Sequence, residues 1–324
     1  MTSYHDAGVD LEGAESHVRK IAAAVTATWS QEVVGGFGSF AAGITLPEGY
    51  RNPVLMLSTD GVGTKLDLAR RSGRWDGVGY DLVAMGVDDL AAVGARAMAF
   101  VDYLAVGALD PERDEAIVAS IAAACAEIGC SLLGGETAEH PGVMAPDAVD
   151  LAGTALGLVE KGEELGPYRV TEGDVVLGLR SPNLRSNGFS LVRATLGDGV
   201  DDHLDALLAP SVIYSPSVLD AVDTGGAHAA AHITGGGIAA NLARALPEGF
   251  GVTVDTSTWE PPEVFALVAA SGVDEEEMFR TFNMGIGFTL VVEAGSVDRV
   301  SEVVARHEPV VLGTVEKGAE VTLV

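Results

Sequence analysis

The chain has 324 residues, with 47 acidic and 19 basic side chains, so its formal net charge at pH 7 is −28. This charge disfavours nonspecific binding to nucleic acid or to an anionic membrane. Hydrophobic residues make up 48% of the sequence, which excludes a disordered chain, and the length favours two domains. The sequence has no signal-peptide pattern and no apolar run of about 18 residues. Its only cysteines, Cys125 and Cys130, lack metal-ligand spacing, so we expect a cytoplasmic protein without disulfides.

The first predicted elements are a helix and a glycine-rich loop. Val18, Ile21 and Val25 recur at helical spacing, which predicts a helix over residues 14–29. The loop at residues 33–40 lacks the spacing of a dinucleotide-binding fingerprint, and no P-loop motif occurs anywhere in the sequence. If the protein uses ATP, it therefore does so without a P-loop.

The stretch 58–65 follows an apolar run that predicts a buried strand at residues 54–57. Gly61 and Gly63 allow a tight turn and a close approach to a ligand. Asp60 offers hard oxygen ligands to Mg²⁺, and Lys65, one of only four lysines, offers a point charge to phosphate. A glycine-rich turn with a solvated aspartate and lysine explains the same residues equally well.

Strands and helices alternate through the rest of the first half. Adjacent carboxylates near a helix, Asp88 and Asp89, repel each other unless a cation lies nearby, so they indicate either a metal ligand or a solvated acidic face. A third glycine-rich loop is predicted at residues 134–142, directly after a strand. The remaining elements are helices at 66–71, 82–90 and 111–128, and strands at 97–104, 131–133 and 151–159.

The polar, turn-rich residues 160–167 form the predicted linker to the second half. Ser186 or Asn187 is expected to cap the helix that follows, and this helix start with its two nearby arginines indicates either an anion site or an ordinary cap. A fourth glycine loop is predicted at 232–238. The other elements are strands at 174–179 and 289–292, and helices at 210–222, 239–245, 259–270 and 274–279.

Eight short segments together resemble one enzyme family, the phosphoribosylformylglycinamidine cyclo-ligases, or aminoimidazole ribonucleotide synthetases, of purine biosynthesis. The resemblance spans almost the whole chain. Its segments are YHDAGVD (4–10), GGFG (35–38), TDGVGTK (59–65), DLVAM (81–85), GGETAE (134–139), SNGFSLVR (186–193), TGGG (234–237) and TFNMG (281–285).

The resemblance implies an α/β (α+β) protein with two mixed domains, at 1–165 and 166–324. The first domain would bind ATP and pair with a second copy into a homodimer with a β-barrel-like core, and the second would be a sheet packed by helices that completes the substrate cleft. The family uses ATP and Mg²⁺ to activate the formyl amide oxygen of formylglycinamidine ribonucleotide, after which the imidazole ring closes. No nucleic acid or membrane partner is implied.

The resemblance also implies site residues. Asp60 and Asp89 would bind the metal, and Asp60, Lys65 and Arg185 would carry catalysis. Contacts to the nucleotide are expected at Gly36, Gly38, Thr59, Gly61, Gly63, Thr64, Lys65, Asp76, Asp89, Gly134, Gly135 and Glu136. Contacts to the second substrate are expected at Ser186, Asn187, Gly188, Thr234, Gly235 and Gly236.

The chain departs from the family pattern at two places. Arg185 stands where the family commonly has histidine, and arginine does not deprotonate, although it can hold a phosphate or an oxyanion bidentately. The lysine that the family often carries late in the first helix is missing. Two alternatives therefore stay open: another ATP-using enzyme of the same superfamily, or a nonenzymatic nucleotide-binding paralogue.

Overall fold

The computed structural model of the protein describes residues 11–324. These residues form two compact units: 11–87 with 97–160, and 88–96 with 161–324. The prediction of a mixed α/β protein with two domains is confirmed. The predicted domain limits, 1–165 and 166–324, remain a prediction, and the segment 4–10 lies outside the described residues.

Residues 11–160 supply four helices and six strands. They are α1 (Leu11–Ala27), β1 (Val33–Val34), β2 (Gly43–Ile44), β3 (Pro53–Gly61), α2 (Lys65–Ser72), α3 (Val78–Ala92), β4 (Arg96–Val106), α4 (Pro111–Glu127), β5 (Ser131–Glu139) and β6 (Val149–Glu160). The division between the units falls inside α3, whose residues after Val87 belong to the second unit.

Helix α4 begins where the sequence predicts it to begin. The Asp110 side chain accepts hydrogen bonds from the backbone N–H groups of Glu112 and Arg113, and Pro111 occupies the first turn. Proline costs nothing there, because its missing N–H would have no partner inside the helix. The buried face of α4 includes Val118 and packs in the first unit.

The first unit is built on a four-stranded sheet in the order β3-β6-β4-β5. Strands β3 and β6 are antiparallel, and β4 and β5 are parallel. Along β4, Phe100, Asp102 and Leu104 are buried, whereas Val101 and Tyr103 are exposed. This alternation means that one face of the sheet packs on helices and the other is open in the single chain.

The second half of the chain supplies seven helices and six strands. They are β7 (Val175–Arg180), α5 (Phe189–Leu196), α6 (Leu204–Leu207), α7 (Ser215–Asp223), β8 (Ala227–His232), α8 (Gly237–Arg244), β9 (Phe250–Val254), α9 (Glu263–Ala270), α10 (Glu275–Thr281), β10 (Ile286–Val292), α11 (Val297–Val303), β11 (Val310–Lys317) and β12 (Val321–Leu323).

A six-stranded sheet in the order β12-β9-β11-β7-β10-β8 organises the second unit. Strand β10 is buried along its whole length. Hydrophobic clusters lie on both faces of the sheet, one around Ile238 and Val252 and the other around Val218 and Phe288. A sheet covered on both faces explains why β10 is a continuous apolar run rather than an alternating one.

Three local expectations are corrected. Residues 58–61 and 134–139 are strand residues of β3 and β5 instead of loops, because a neighbouring strand pairs with each of them. The predicted helix at 259–270 begins only at Glu263, after two prolines.

Between residues 11 and 324, no helix is both long enough and apolar enough to cross a membrane.

Candidate functional site: a cavity in the first unit

A cavity of about 560 Å³ lies in the first unit between α1, the segment 36–42 and the strands β4 and β5. Five of the residues expected to contact a nucleotide line it together: Gly36, Gly38, Gly134, Gly135 and Glu136. Apolar side chains from α1, such as Val18 and Ile21, form much of the remaining wall. The volume lies within the range of small-molecule sites.

Asp102, which the sequence reasoning missed, is a polar residue of this cavity. Its side chain projects from β4 on the buried face, and the residue is 9% exposed. Burial raises the pKa of Asp102 to about 7. Buried carboxyl groups with raised pKa values are characteristic of functional sites, although structural networks also produce them.

His17, on α1, is the second polar residue that was missed. It is 2% exposed and lines the same cavity. Burial lowers the pKa of His17, against the opposing effect of Asp114 and Glu115. Its Nε2 atom lies 3.4 Å from the hydroxyl of Thr137, and its buried Nδ1 atom has no hydrogen-bond partner among the described residues.

A bulge between β4 and β5 places Gly135 beside Asp102. The register of the two strands shifts between Phe100 and Val101, so that Leu133 is left without a partner on β4 and Gly135 pairs with Asp102. A Cβ atom on Gly135 would lie 2.3 Å from the Oδ1 atom of Asp102. Only glycine leaves room for this carboxyl group, and bulges next to sites commonly redirect a side chain in this way.

The end of β3 carries the other residues expected to bind nucleotide. Thr59 shares a hydrogen bond of 2.8 Å between its hydroxyl and that of Thr154. The exposed Asp60 accepts a hydrogen bond of 2.7 Å from the N–H of Gly61. Gly63, with φ at +69°, and Thr64 are exposed and connect the strand to α2. Asp76 is exposed, and only its backbone carbonyl has a partner here, the hydroxyl of Ser120.

Lys65 is buried, and its expected role in nucleotide binding and catalysis stays a prediction. Its ammonium group is fully buried and lies 2.7 and 2.9 Å from the two carboxylate oxygens of Asp81. A lysine so enclosed does not face solvent, and a phosphate could reach it only by displacing the aspartate. In this structure Lys65 holds α3 to the first turn of α2.

Arg185, expected to be catalytic, is also placed differently. The guanidinium is buried in the second unit and pairs with Asp88 at 2.5 Å. It also donates to the carbonyls of Gly287 and Val212 and lies 5.0 Å from the ring centroid of Tyr214. A guanidinium with these partners supports the fold, and its expected catalytic role stays a prediction.

The predicted substrate residues do approach one another in the second unit. Gly188, not Ser186 or Asn187, is the capping residue of α5, and a Cβ atom there would lie 2.2 Å from the Phe282 ring. A Cβ atom on Gly235 would lie 3.9 Å from the side-chain oxygen of Asn187. The segment with Thr234, Gly235 and Gly236 is therefore adjacent to Asn187.

Next to this segment, His232 at the end of β8 forms a pair with Asp89. The Nδ1 atom of His232 lies 2.9 Å from the Oδ1 atom of Asp89, whose side chain is half-exposed. The Nε2 atom of His232 is buried and has no partner among the described residues. The pair was missed, although His232 directly precedes the glycine loop in the sequence.

No group of three or more histidine, cysteine, aspartate or glutamate side chains within residues 11–324 is arranged to hold a metal. Mg²⁺ is commonly held by one or two carboxylates together with substrate phosphates and water. Asp60 in the first unit and Asp89 in the second each present an exposed carboxylate. The metal assignment for these two residues stays a prediction.

Comparison with known proteins decides the family. Residues 38–159 match the family described as AIR synthase related protein, N-terminal domain, and residues 171–324 match the corresponding C-terminal domain. The chain is 45% identical over 312 residues to a phosphoribosylformylglycinamidine cyclo-ligase of Synechococcus sp. (strain CC9605), covering 92% of this chain and 90% of that protein. The chain belongs to the phosphoribosylformylglycinamidine cyclo-ligase family. The resemblance predicted from the glycine-rich segments, and with it the enzyme class, is confirmed at the level of the family.

Solved structures agree on the fold. The E. coli hydrogenase maturation protein HypE superposes with a TM-score of 0.71 at 19% identity, covering 97% of this chain and 94% of that one. A HypE structure in complex with ATP superposes with a TM-score of 0.67 at 18% identity, covering 95% of this chain and 88% of that one. At these identities the likeness shows the fold alone.

Proposed function

We propose that the protein is an ATP-dependent cyclo-ligase of purine biosynthesis that converts formylglycinamidine ribonucleotide and ATP to aminoimidazole ribonucleotide, ADP and phosphate. The observation that carries the proposal is the 45% identity over 92% of the chain to a protein of this name. The cavity that gathers five expected nucleotide contacts supports the use of ATP. We place the enzyme in the cytoplasm, consistent with two buried cysteines that are both free thiols.

The chemistry requires an amide carbon to become electrophilic. Transfer of the γ-phosphoryl group of ATP to the formyl amide oxygen makes that oxygen a leaving group. The amidine nitrogen then attacks the carbon, the ring closes and phosphate departs. For such a transfer the protein mainly positions the reactants and stabilises charge.

The residues divide between the two ends of this reaction. In the first unit, the segment 59–64 offers the exposed Asp60 carboxylate, and the cavity offers a binding place for the nucleotide. In the second unit, Asn187 and the glycine loop at 234–236 form a polar surface for the ribonucleotide. Lys65 and Arg185 support the fold beneath these surfaces and are not assigned a chemical step.

Mg²⁺ is part of the proposal, with Asp60 and Asp89 as the residues that would hold it. When bound, the ion neutralises charge on the transferred phosphoryl group. Asp60 fits because its carboxylate is exposed and one of its oxygens is oriented by the Gly61 N–H. Asp89 fits because His232 orients one of its oxygens while the side chain stays half-exposed.

A homodimer is also proposed, and the open face of the first sheet supports it. Leu55 and Leu57 on β3 are 57% and 71% exposed, and Val101 and Tyr103 on β4 are 41% and 42% exposed. An apolar sheet face of this kind is commonly an interaction surface.

Leu57→Glu is expected to shift the protein towards monomer in sedimentation-velocity experiments. The matched control is Val311→Glu, at a residue 49% exposed in the second unit. A dimer that persists in the Leu57 variant would contradict this interface.

The assay for the proposed function combines purified protein, formylglycinamidine ribonucleotide, ATP and Mg²⁺, and follows the aminoimidazole product and ADP together. Equal amounts of both are expected. ADP without imidazole would overturn the cyclo-ligase assignment. Asp60→Asn is expected to lower turnover at least tenfold, whereas Asp298→Asn, at an exposed aspartate in the first turn of α11, is expected to leave it unchanged.

A further inference from the structure

A buried asparagine contacts the glycine loop at residues 234–237 of the second unit. Asn241 lies on α8, four residues after the loop, and is 4% exposed. Its Nδ2 atom lies 2.8 Å from the carbonyl oxygen of Gly237, and 3.3 and 3.4 Å from those of Gly235 and Thr234. These three partners are all acceptors, so only the donor side of the amide fits against them.

The carbonyl groups that face Asn241 determine where the neighbouring N–H groups point. In a trans peptide the C=O of one residue and the N–H of the next point in opposite directions, and no cis peptide occurs among the described residues. The N–H groups of Gly235 and Gly236 therefore point away from Asn241. Gly235 is exposed and Gly236 is half-buried, and no residue within 11–324 accepts a hydrogen bond from either N–H group. Both groups can therefore donate to a ligand.

The end of α10 holds the loop from another side. A Cβ atom on Gly237 would lie 1.9 Å from the carbonyl oxygen of Phe279 and 3.3 Å from that of Phe282. Gly237, with φ at +67°, thus packs directly on the backbone of this segment, and its N–H donates to the Thr234 carbonyl at 3.2 Å. The peptide groups of the loop cannot turn over without losing these contacts and those with Asn241.

We propose that Asn241 is a positioning residue for the second substrate: it holds the peptide groups of the glycine loop so that the N–H groups of Gly235 and Gly236 face an oxygen of the bound ribonucleotide. The inference rests on the proposed function, which assigns this loop to formylglycinamidine ribonucleotide. Successive backbone N–H groups directed to one side form a concavity that suits an oxygen carrying negative charge. Asn241 acts through the loop and does not touch the substrate.

The chemistry of the amide explains why the position needs asparagine. Aspartate has the same shape, but its ionised carboxylate only accepts hydrogen bonds, so at this position it would repel the three loop carbonyls. Alanine would remove the donor and leave buried carbonyl groups without a partner, which costs free energy. In both variants the loop peptides are expected to rotate, and the two N–H groups then no longer face the substrate.

The test measures KM for formylglycinamidine ribonucleotide, KM for ATP and kcat with the full-length protein. Asn241→Asp is expected to raise KM for the ribonucleotide about tenfold, the value of one lost hydrogen bond, and to leave KM for ATP within about twofold of wild type. A merely structural role would lower the amount of active enzyme, and so kcat, without separating the two KM values. The matched control is Asn52→Asp, the same change at an exposed residue of the first unit, which should alter none of the three.

Hydrogen exchange of residues 233–238 in the absence of substrate tests the loop itself. Exchange is expected to be faster in Asn241→Asp than in wild type, because the Gly237 N–H loses its fixed acceptor at Thr234. Thermal unfolding verifies that the variant is folded. If the Asp variant fails to fold, Asn241→Ala replaces it, with the same separation of the two KM values and the same faster exchange expected.

The outcomes separate this inference from the proposed function. Wild-type values of the ribonucleotide KM in a folded Asn241 variant, or wild-type exchange of the loop, overturn the inference. If wild-type protein binds the ribonucleotide in calorimetry but forms no imidazole, the proposed function fails, and the binding constants of the Asn241 variants still decide the role of this residue. A wild-type protein that does not bind the ribonucleotide would overturn both.

Discussion

Two regions of this protein bury polar groups in opposite ways. In the second unit, Arg185 and Asp88 lie against each other, and two backbone carbonyls and the Tyr214 ring surround the guanidinium. In the first unit, Asp102 is buried at a cavity with a backbone hydrogen bond but no counter-charge, and the Nδ1 atom of His17 there has no partner among the described residues. Both regions bury a carboxyl group, yet only the one in the second unit pairs it with a counter-charge.

The difference shows how a counter-charge changes the energetics of a buried carboxyl group. Asp88 accepts hydrogen bonds from the N–H groups of Tyr214 and Ser215 in addition to its pair with Arg185. Removing any member leaves the others buried and unpaired, which is strongly destabilising. Asp102 has no counter-charge, so replacing it with a neutral residue of the same shape removes a cost instead of creating one.

The largest expected effect comes from removing the buried ion pair between Arg185 and Asp88. Arg185→Met should lower the free energy of unfolding by about 3–5 kcal/mol, because the buried carboxylate of Asp88 loses its counter-charge. Urea unfolding measures this, with Arg244→Met at an exposed arginine of α8 as the control, expected to change it by less than about 0.5 kcal/mol. A variant that keeps its stability but loses activity would instead support the catalytic role predicted for Arg185.

A change of opposite sign in the free energy of unfolding is expected at Asp102, the buried carboxyl group without a counter-charge. Burial raises the pKa of Asp102 from 3.8 to about 7, so between these pH values the folded protein holds a proton that the unfolded chain has released. Wild-type stability therefore falls as the pH rises from about 4 to about 7 and then levels off. Asp102→Asn should remove this slope and stabilise the protein at pH 8 by about 2–4 kcal/mol. Identical slopes in the two proteins would show that the carboxyl group is better solvated than its position indicates.

A third variant tests His307, a buried histidine of the second unit. Burial, aided by Arg306 and Arg185, lowers the pKa of His307 from 6.5 to about 4. The unfolded chain thus takes up a proton first as the pH falls, and wild-type stability is lost between about 6.5 and 4. His307→Gln should flatten this part of the stability profile by about 1–2 kcal/mol. The readout is the slope, because the variant also loses the ring contact with Tyr214 at 4.8 Å.

The smallest expected effect concerns Asp110, the residue that caps the first turn of α4. Asp110→Ala removes both hydrogen bonds that cap α4 and should cost about 1 kcal/mol of unfolding free energy. ATP affinity should stay unchanged. Glu112→Ala, in the same first turn, controls for the loss of a negative charge near the helix start and should cost a few tenths of a kcal/mol. Equal losses of unfolding free energy in both variants would show that Asp110 acts only through its negative charge and not through its hydrogen bonds.

Much of the fold could be predicted from local patterns. Helix α4 was expected at 111–128 from Pro111 and its apolar spacing, and it lies at Pro111–Glu127. Strand β5 was predicted to end at residue 133, because glycines usually mark a turn. It continues to Glu139, since β4 supplies a parallel partner that is distant in sequence. Pairing of this kind leaves no local signal.

The glycines that line the cavity could be predicted from the sequence, whereas its buried polar side chains, Asp102 and His17, were missed. The glycines at 134 and 135 have a recognisable pattern, and they do line the cavity. The ion pairs of Lys65 with Asp81 and of Arg185 with Asp88 could not be predicted, because the partners lie 16 and 97 residues away along the chain. One signal for Asp102 was available: it alternates with Phe100 and Leu104, so the strand pattern puts an acid on the buried face.

Strand β4 carries two sets of residues that share one backbone. Val101 and Tyr103 have exposed side chains, and Asp102 between them is buried at the cavity. Deleting a single residue upstream of them within the strand would exchange the faces, which would bury a tyrosine in the cavity and place an acid on the apolar sheet surface. Evolution can therefore vary this strand by substitution, one face at a time, but any change in its length alters both surfaces at once.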